Sequence, residues 1–463
     1  MEAFHGSMSS TLPFPYAYSA STTNFMPNSS FHAPVSAATG PWLDSRIWSR
    51  LPQQLLDRVI AFLPPPAFFR ARCVCKRWYS LLFSDNFLEL YLQVSPGRHW
   101  FIFFKHKSPK SYNICRNNSI GMSSTTTSDN FGHAVSRGAA NCEGYLFDPY
   151  EFSWHRVSFA FVPSGFCPTS SSGGLVCWVS DEAGTKSLLL SNPLLGSLTP
   201  LPPTFRPRLF PTIGMDVTPA SIDVVVAGDD LISPYAVKNL SSESFHIDSG
   251  GFFSLWGTTS TLPRLCSLEP GRMVFVGGKF YCMNYSPFSI LAYDAAANGW
   301  CKIQAPMRRF LRCPSLVEGG GRLVLVAAVE KSKLNVPRSL RLWAMQPPCR
   351  TSWVEIERMP QQLYVQFEEM EGGLGFDCVG HGEFVLITIR GTGLDNRGLV
   401  FDMWRKRWQW IPPCPYAAAS GAGREAGGEG GVELQGFAYE PRLATPVTAI
   451  LDQLALPFQQ FNA

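Results

Sequence analysis

The chain has 463 residues, 45% of them hydrophobic and only 16% charged, with 37 Pro, 39 Gly and 34 Phe. That length exceeds one small core, so a large domain plus a small one is expected, and the composition suits a β-rich fold with many turns. No apolar run approaches the roughly eighteen residues of a membrane-spanning helix, and a formal net charge of +4 is too small to imply bulk binding to nucleic acid.

Residues 1–40 are rich in Ser, Thr, Ala, Pro and aromatics and contain no Lys or Arg. Neither a signal-peptide n-region nor an Arg-rich transit peptide is expected there, and the missing periodicity predicts a disordered tail. The thirteen Cys form no Cys-x-x-Cys and read as reduced thiols of a nuclear or cytosolic protein.

From Trp42 to Ser80 the charge is concentrated, with seven basic residues against two acidic ones. Pro52 suits the first turn of a helix. Leu55, Leu56, Val59, Ile60 and Leu63 then repeat at helical spacing. Pro64, Pro65 and Pro66 end that helix. A second, Arg-rich helix is predicted through Phe68, Ala71, Cys75, Trp78 and Leu82, and a third from Asp85 through Tyr91. Three short helices cannot bury this many apolar positions, so some should face a partner or the next domain.

The pairs Leu51-Pro52, Leu55-Leu56, Val59-Ile60 and Leu63-Pro64, with Val74-Cys75-Lys76-x-Trp78-x-x-Leu81, resemble an F-box, expected over residues 41–95. The resemblance implies insertion into a Skp-family adaptor, and through it a cullin, of a ubiquitin ligase. By that carry-over Leu51, Pro52, Leu55, Leu56, Ile60, Val74, Cys75 and Trp78 are the candidate adaptor contacts. Which of them face the adaptor and which face the internal core stays open.

After about residue 98 the pattern turns to period-2 strands. A polar stretch near 113–141 and a Gly/Ala-rich one near 416–433 are predicted as flexible loops. Between them a unit recurs: an apolar strand, an Asp- or Asn-type turn, a Trp, and often a Pro-rich exit. The turn residues are placed at Asp148, Asn192, Asn239, Asp294, Met345 and Asp402, spaced 44, 47, 55, 51 and 57 residues apart. Gly173-Gly174 and Gly277-Gly278 precede units. The pattern resembles kelch repeats and predicts a β-propeller over 98–455. Six blades are counted and a seventh stays open. Gly436 to Pro441 is expected to complete the first blade and close the ring. The fold class is therefore α+β and multidomain.

No phosphate loop, dinucleotide fingerprint, metal-spaced His/Cys set or Gly-x-Ser-x-Gly occurs, so no enzyme activity, cofactor or metal is expected. Arg308, Arg309, Arg312, Lys331 and Lys333 cluster within 26 residues. With Arg405, Lys406 and Arg407 they are the candidate DNA or acidic-partner contacts.

Longer runs carry a closer resemblance. Trp42-Leu43-Asp44-x-Arg46-Ile47-Trp48-Ser49, Leu55–Arg70, Ile222–Phe253 and Gln304–Arg312 are similar to a family of plant floral F-box proteins. That resemblance implies a nuclear role in floral meristem and organ identity, exerted with a Leafy-type transcription factor. Two functions follow from it as expectations. One is the substrate-recognition subunit of a Skp-cullin-F-box ubiquitin ligase. The other is a transcriptional cofactor whose propeller bridges Leafy and DNA without ubiquitination.

Overall fold

The computed structural model describes residues 50–107, 143–208, 211–229, 240–248, 256–264, 271–285, 288–307, 310–330, 338–346, 352–391, 397–416 and 432–445, with a few further positions as far as 454. The expected tail at 1–40 and loop at 113–141 lie outside the described residues, as do residues 417–431 of the second loop. The chain divides into two compact units, residues 1–95 and 96–463.

The first unit contains α1 (Gln53–Ala61), α2 (Pro65–Ala71), α3 (Lys76–Ser80), a 3₁₀ turn (Leu81–Phe83) and α4 (Asp85–Val94). The three prolines do more than stop α1. Pro64 is the N-cap of α2 and Pro65 its first residue, where no N–H is required. The single Arg-rich helix expected through Leu82 is two helices. Cys75 is extended (φ −155°, ψ 160°), which breaks the run, and its Sγ accepts the Trp78 backbone N–H at 3.4 Å to start α3. Ser84 rather than Asp85 flanks α4. The core consists of Ile60, Ala61, Phe68, Leu81, Phe87 and Tyr91. Phe68 stacks on Phe87 with centroids 5.7 Å apart. An Asp57–Arg77 ion pair at 2.5 Å ties α1 to α3.

The second unit is a six-bladed propeller of antiparallel sheets, four-stranded except in the third blade, where the short strand Gly271–Arg272 adds in parallel as a fifth. In each sheet the strand named first borders the neighbouring blades. The second to sixth blades begin with Phe166–Ser172, Thr212–Val217, Val274–Val276, Leu311–Gly319 and Phe376–His381. The first blade begins with the C-terminal strand Val432–Tyr439, which pairs antiparallel with Trp100–Lys107 and sets Ile102 opposite Phe437. The ring therefore closes as the sequence predicts, and this pairing gives Trp100–Lys107 a neighbouring strand on each side.

The recurring sequence unit has a physical meaning at each of its parts. Asp148, Asn192, Asp294 and Asp402 each end a third strand, and their side chains accept backbone N–H groups two or three residues on. In the first, third and fifth blades a Trp at the start of or just before the outer strand locks its blade to the preceding one. Trp154 Nε1 donates to Pro412 O at 2.9 Å, Trp256 Nε1 to Pro202 O at 2.7 Å, and Trp353 Nε1 to Gln304 O at 2.9 Å. Those acceptors sit where the preceding blade leaves its outer strand, which accounts for the Pro-rich exits. Gly173-Gly174, Gly277-Gly278 and Gly320-Gly321 all have positive φ and form two-residue hairpin turns.

Two expectations fail here. In the third blade the third strand is Leu240–Asp248, so the turn placed at Asn239 precedes that strand instead of following it. Asn239 itself lies outside the described residues, and Trp256 supplies the tryptophan of this blade. The second failure is α5 (Gln361–Glu371), a helix between the fifth and sixth blades that the strand pattern hid. Pro360 caps it, Gly372 ends it in the left-handed conformation, and Tyr364 and Phe367 are buried beneath it. After the closing strand, Val447, Ile450, Leu451 and Leu454 enter the core shared by the second and third blades.

Candidate functional site

The helical unit is amphipathic on two sides. Leu56, Ile60 and Leu63 turn inward, and Ile60 is only 3% exposed. Leu55, Val59 and Phe62, spaced i, i+4 and i+7 along α1 and its C-cap, are 44–49% exposed. The apolar repeat that read as one helical face is two adjacent stripes, one for the core and one for solvent. A second exposed group comprises Val74 at 68%, Phe83 at 67% and Tyr79. Arg72 organises it: its guanidinium lies 4.6 Å from the Tyr79 ring centroid and 5.6 Å from that of Phe83, and its Nε donates to the Tyr79 carbonyl at 3.1 Å. Exposing six large apolar side chains on so small a unit is unfavourable unless something covers them.

The expected adaptor contacts divide accordingly. Leu55, Pro52, Val74 and Cys75 are exposed, while Leu51, Leu56 and Trp78 are half-buried. Ile60 is corrected to a core residue, because α4 and its neighbours already cover it. Sequence reasoning did not select Val59, Phe62, Tyr79 or Phe83. The i, i+4, i+7 stripe of α1 was a visible signal for the first two. For Tyr79 and Phe83 only the break at Cys75 sets the direction.

On the propeller the described basic candidates do not form one surface. Arg312 opens the first strand of the fifth blade and is largely buried. Its Nη1 donates to Glu371 of α5 at 2.6 Å, and it lies 5.8 Å from the Phe376 ring centroid. Burial alone lowers the pKa of that guanidinium, but the Glu371 hydrogen bond and charge outweigh this and raise it. Arg312 is therefore an internal strut, which corrects its assignment to an open basic face. Arg308, Arg309, Lys331 and Lys333 lie outside the described residues.

Arg405, Lys406 and Arg407 are exposed in the turn after the third strand of the sixth blade. Strand alternation puts that turn on the opposite propeller face from Arg312. Lys406 has φ +53° and reaches Glu357 at 3.8 Å, and Arg405 lies 3.6 Å from Asp402. Beside them Trp404 is 87% exposed, a side chain the sequence reading passed over. Among the described residues, no group of three or more His, Cys, Asp or Glu is placed to hold a metal ion.

An apolar helical unit with uncovered side chains followed by a closed six-bladed ring is the architecture of an F-box protein with a β-propeller. Residues 48–90 match the F-box domain family and residues 146–367 the KIB1-4 beta-propeller family. The chain is 62% identical to Protein UNUSUAL FLORAL ORGANS of Arabidopsis thaliana over 98% of both chains. It is 43% identical to Protein ABERRANT PANICLE ORGANIZATION 1 of Oryza sativa subsp. indica, over 91% of this chain and 94% of that one. A more distant relative at 21% identity, over 79% of this chain and 92% of its own length, is SKP1-interacting partner 15 of Arabidopsis thaliana. The chain belongs to the UNUSUAL FLORAL ORGANS family of plant F-box proteins.

Proposed function

We propose that this chain is the substrate-recognition subunit of a Skp-cullin-F-box ubiquitin ligase. The observation that carries the reading is the set of uncovered side chains Leu55, Val59, Phe62, Val74, Tyr79 and Phe83 on the F-box unit. Large aromatic and aliphatic residues at the centre of an interface supply most of its affinity. The name of the distant relative, an interaction partner of SKP1, supports a Skp-family adaptor as what covers them. The propeller then holds the client, and a separate enzyme of the complex transfers ubiquitin. On this reading the chain works in the nucleus with a Leafy-type transcription factor, as the sequence resemblance to floral F-box proteins implies.

The test is co-purification of the full-length chain with adaptor, Leafy and DNA. Changing Leu51, Pro52 and Leu55 to Ala removes the adaptor on this reading. Retained adaptor binding by that triple variant refutes the interface.

The exposed Trp404-Arg405-Lys406-Arg407 turn favours a second reading, a cofactor whose propeller contacts DNA beside Leafy independently of ubiquitination. Charge reversal at Arg405, Lys406 and Arg407 separates the two. It lowers retention of the Leafy–DNA complex on the second reading and leaves adaptor binding untouched.

A further inference from the structure

The six inner strands surround a central channel, and the Arg272 side chain crosses it. Arg272 lies on a short parallel strand, Gly271–Arg272, beside the inner strand of the third blade. Its guanidinium reaches two inner strands elsewhere in the ring, donating from Nη2 to the Cys378 carbonyl of the sixth blade at 2.5 Å and from Nη1 to the Gly436 carbonyl of the first. The Phe437 ring centroid lies 5.7 Å away. Among the described residues no carboxylate comes within ion-pair distance of it. A guanidinium has five N–H donors, and the two carbonyls take one from each terminal nitrogen. Burial lowers the pKa of this half-buried guanidinium and the Asp377 charge offsets it only in part, so a cation held directly by neutral carbonyls gains from a further counter-charge.

The channel differs on the two sides of Arg272. Toward the Gly-Gly turns the wall carries Asp216, Glu318 and Glu440, which disfavour an anion. Toward the opposite face a cavity of about 200 Å³ is lined by Arg272, Ser315, Thr388, Gln435 and the pair Asp377–Arg390. Arg390 already neutralises Asp377, with Nη2 to Oδ1 at 2.5 Å and Nε to Oδ2 at 3.0 Å. The net charge these lining groups present is that of Arg272, and it is ringed by hydroxyl and amide groups. We propose that this cavity binds a small oxyanion, the carboxylate or phosphate group of a metabolite, against Arg272. The site is separate from the F-box face and from the Trp404 turn, and the proposal does not depend on the ligase reading.

The test uses the full-length chain, with inorganic phosphate and acetate as separate probes at constant ionic strength set by potassium fluoride. Each melting temperature is compared with that of Arg272→Met, because phosphate also stabilises proteins generally by exclusion from their surface. The expected result is an anion-dependent rise about 2–4 °C larger in the natural chain than in the variant. A response to phosphate but not acetate assigns a tetrahedral group, and the reverse a carboxylate. Equal shifts in the two proteins, with either probe, overturn the proposal. Should Arg272→Met not fold, Gln435→Glu decides, because it adds an internal carboxylate to the same wall. It should melt higher than the natural chain without added anion and lose the extra rise, and an undiminished rise in that variant overturns the site.

Discussion

Leucines of the two units meet opposite fates. Leu325 in the fifth blade is fully buried between neighbouring strands and blades, and so are Leu323 and Val326 beside it. Leu55 in α1, among Gln54, Asp57 and Arg58, is 49% exposed. The propeller satisfies its hydrophobic residues internally because each blade covers the next and the last strand returns to the first. The helical unit has no further layer to add, so part of its apolar surface stays open for another molecule. Hydrophobicity in the sequence therefore reports stability in one region and association in the other.

The sharpest way to break this contrast is to open the ring. Deleting residues 432–463 strips the strand paired with Trp100–Lys107 and the side chains of Val447, Ile450 and Leu451 from the core. The expected outcome is loss of the folded propeller, read as complete proteolysis of residues 96–431, while amide protection in α1–α4 persists. A protease-resistant propeller after the deletion would show that closure is not what holds it.

Ion pairs offer a milder comparison, because both regions contain them. Glu371 is 1% exposed and holds Arg312, so Glu371→Gln leaves a buried cation alone and should cost the propeller about 3–5 kcal/mol. Asp57 and Arg77 are 22% and 38% exposed, so Asp57→Asn should cost the helical unit no more than about 1 kcal/mol. Urea midpoints followed by probes in each unit check both values. Equal costs would mean that burial does not set the difference.

The third test exchanges stability for binding along one helix. Ile60→Ala should destabilise the helical unit by about 2–5 kcal/mol, as large-to-small core changes do. Leu55→Ala should stay within about 0.5 kcal/mol of the natural stability yet weaken adaptor binding about 30-fold, a loss of about 2 kcal/mol. Circular dichroism melts and adaptor titration distinguish the pair. A Leu55→Ala protein that melts early and binds normally reverses the assignment of the two stripes.

The sequence made the repeating parts legible because each performs one local task. Asp294 and Asp402 cap turns, paired glycines supply positive φ, and the strand of Gly436 to Tyr439 matches the first blade. The Trp and Pro signals were visible too, although their joint purpose, a hydrogen bond between consecutive blades, needed the ring to be assembled. Helix α5 was missed because Pro360 and Gly372 resemble ordinary blade punctuation and the exposed Val365 blurs its apolar face. The site was less legible than the fold. Exposure of Phe62 or Tyr79 depends on which neighbours fail to cover them, and the burial of Arg312 depends on α5. Arg272 gave no sequence signal at all, since its carbonyl partners lie 106 and 164 residues away.

The smallest expected effect concerns two titrating groups at the channel mouth on the side of the Gly-Gly turns, a device the helical unit lacks because it encloses no channel. Burial lowers the pKa of His381 to about 4, despite its Nδ1 contact with the Trp100 carbonyl at 2.9 Å, and the His99 ring packs 4.7 Å from it. The neighbouring carboxylates Glu383 and Glu440 act in the opposite direction and do not reverse the shift. Unfolded histidine titrates near about 6.5, so between those values the unfolded state holds more protons. His381 therefore lets stability fall as pH drops from about 6.5 toward 4, by at most about 1.4 kcal/mol per pH unit. Burial, with the like charge of Asp223, raises Asp216 to about 6, well above the ordinary Asp value near about 4. Here the folded state holds more protons in the window, so stability rises as pH drops through 6. The two slopes oppose each other and the natural chain should change little between pH 6 and 4.5. His381→Asn should become more stable with acidification over that range and Asp216→Asn less stable, as read from urea midpoints of the propeller. Parallel profiles for the two variants would remove the channel mouth as the source of either slope.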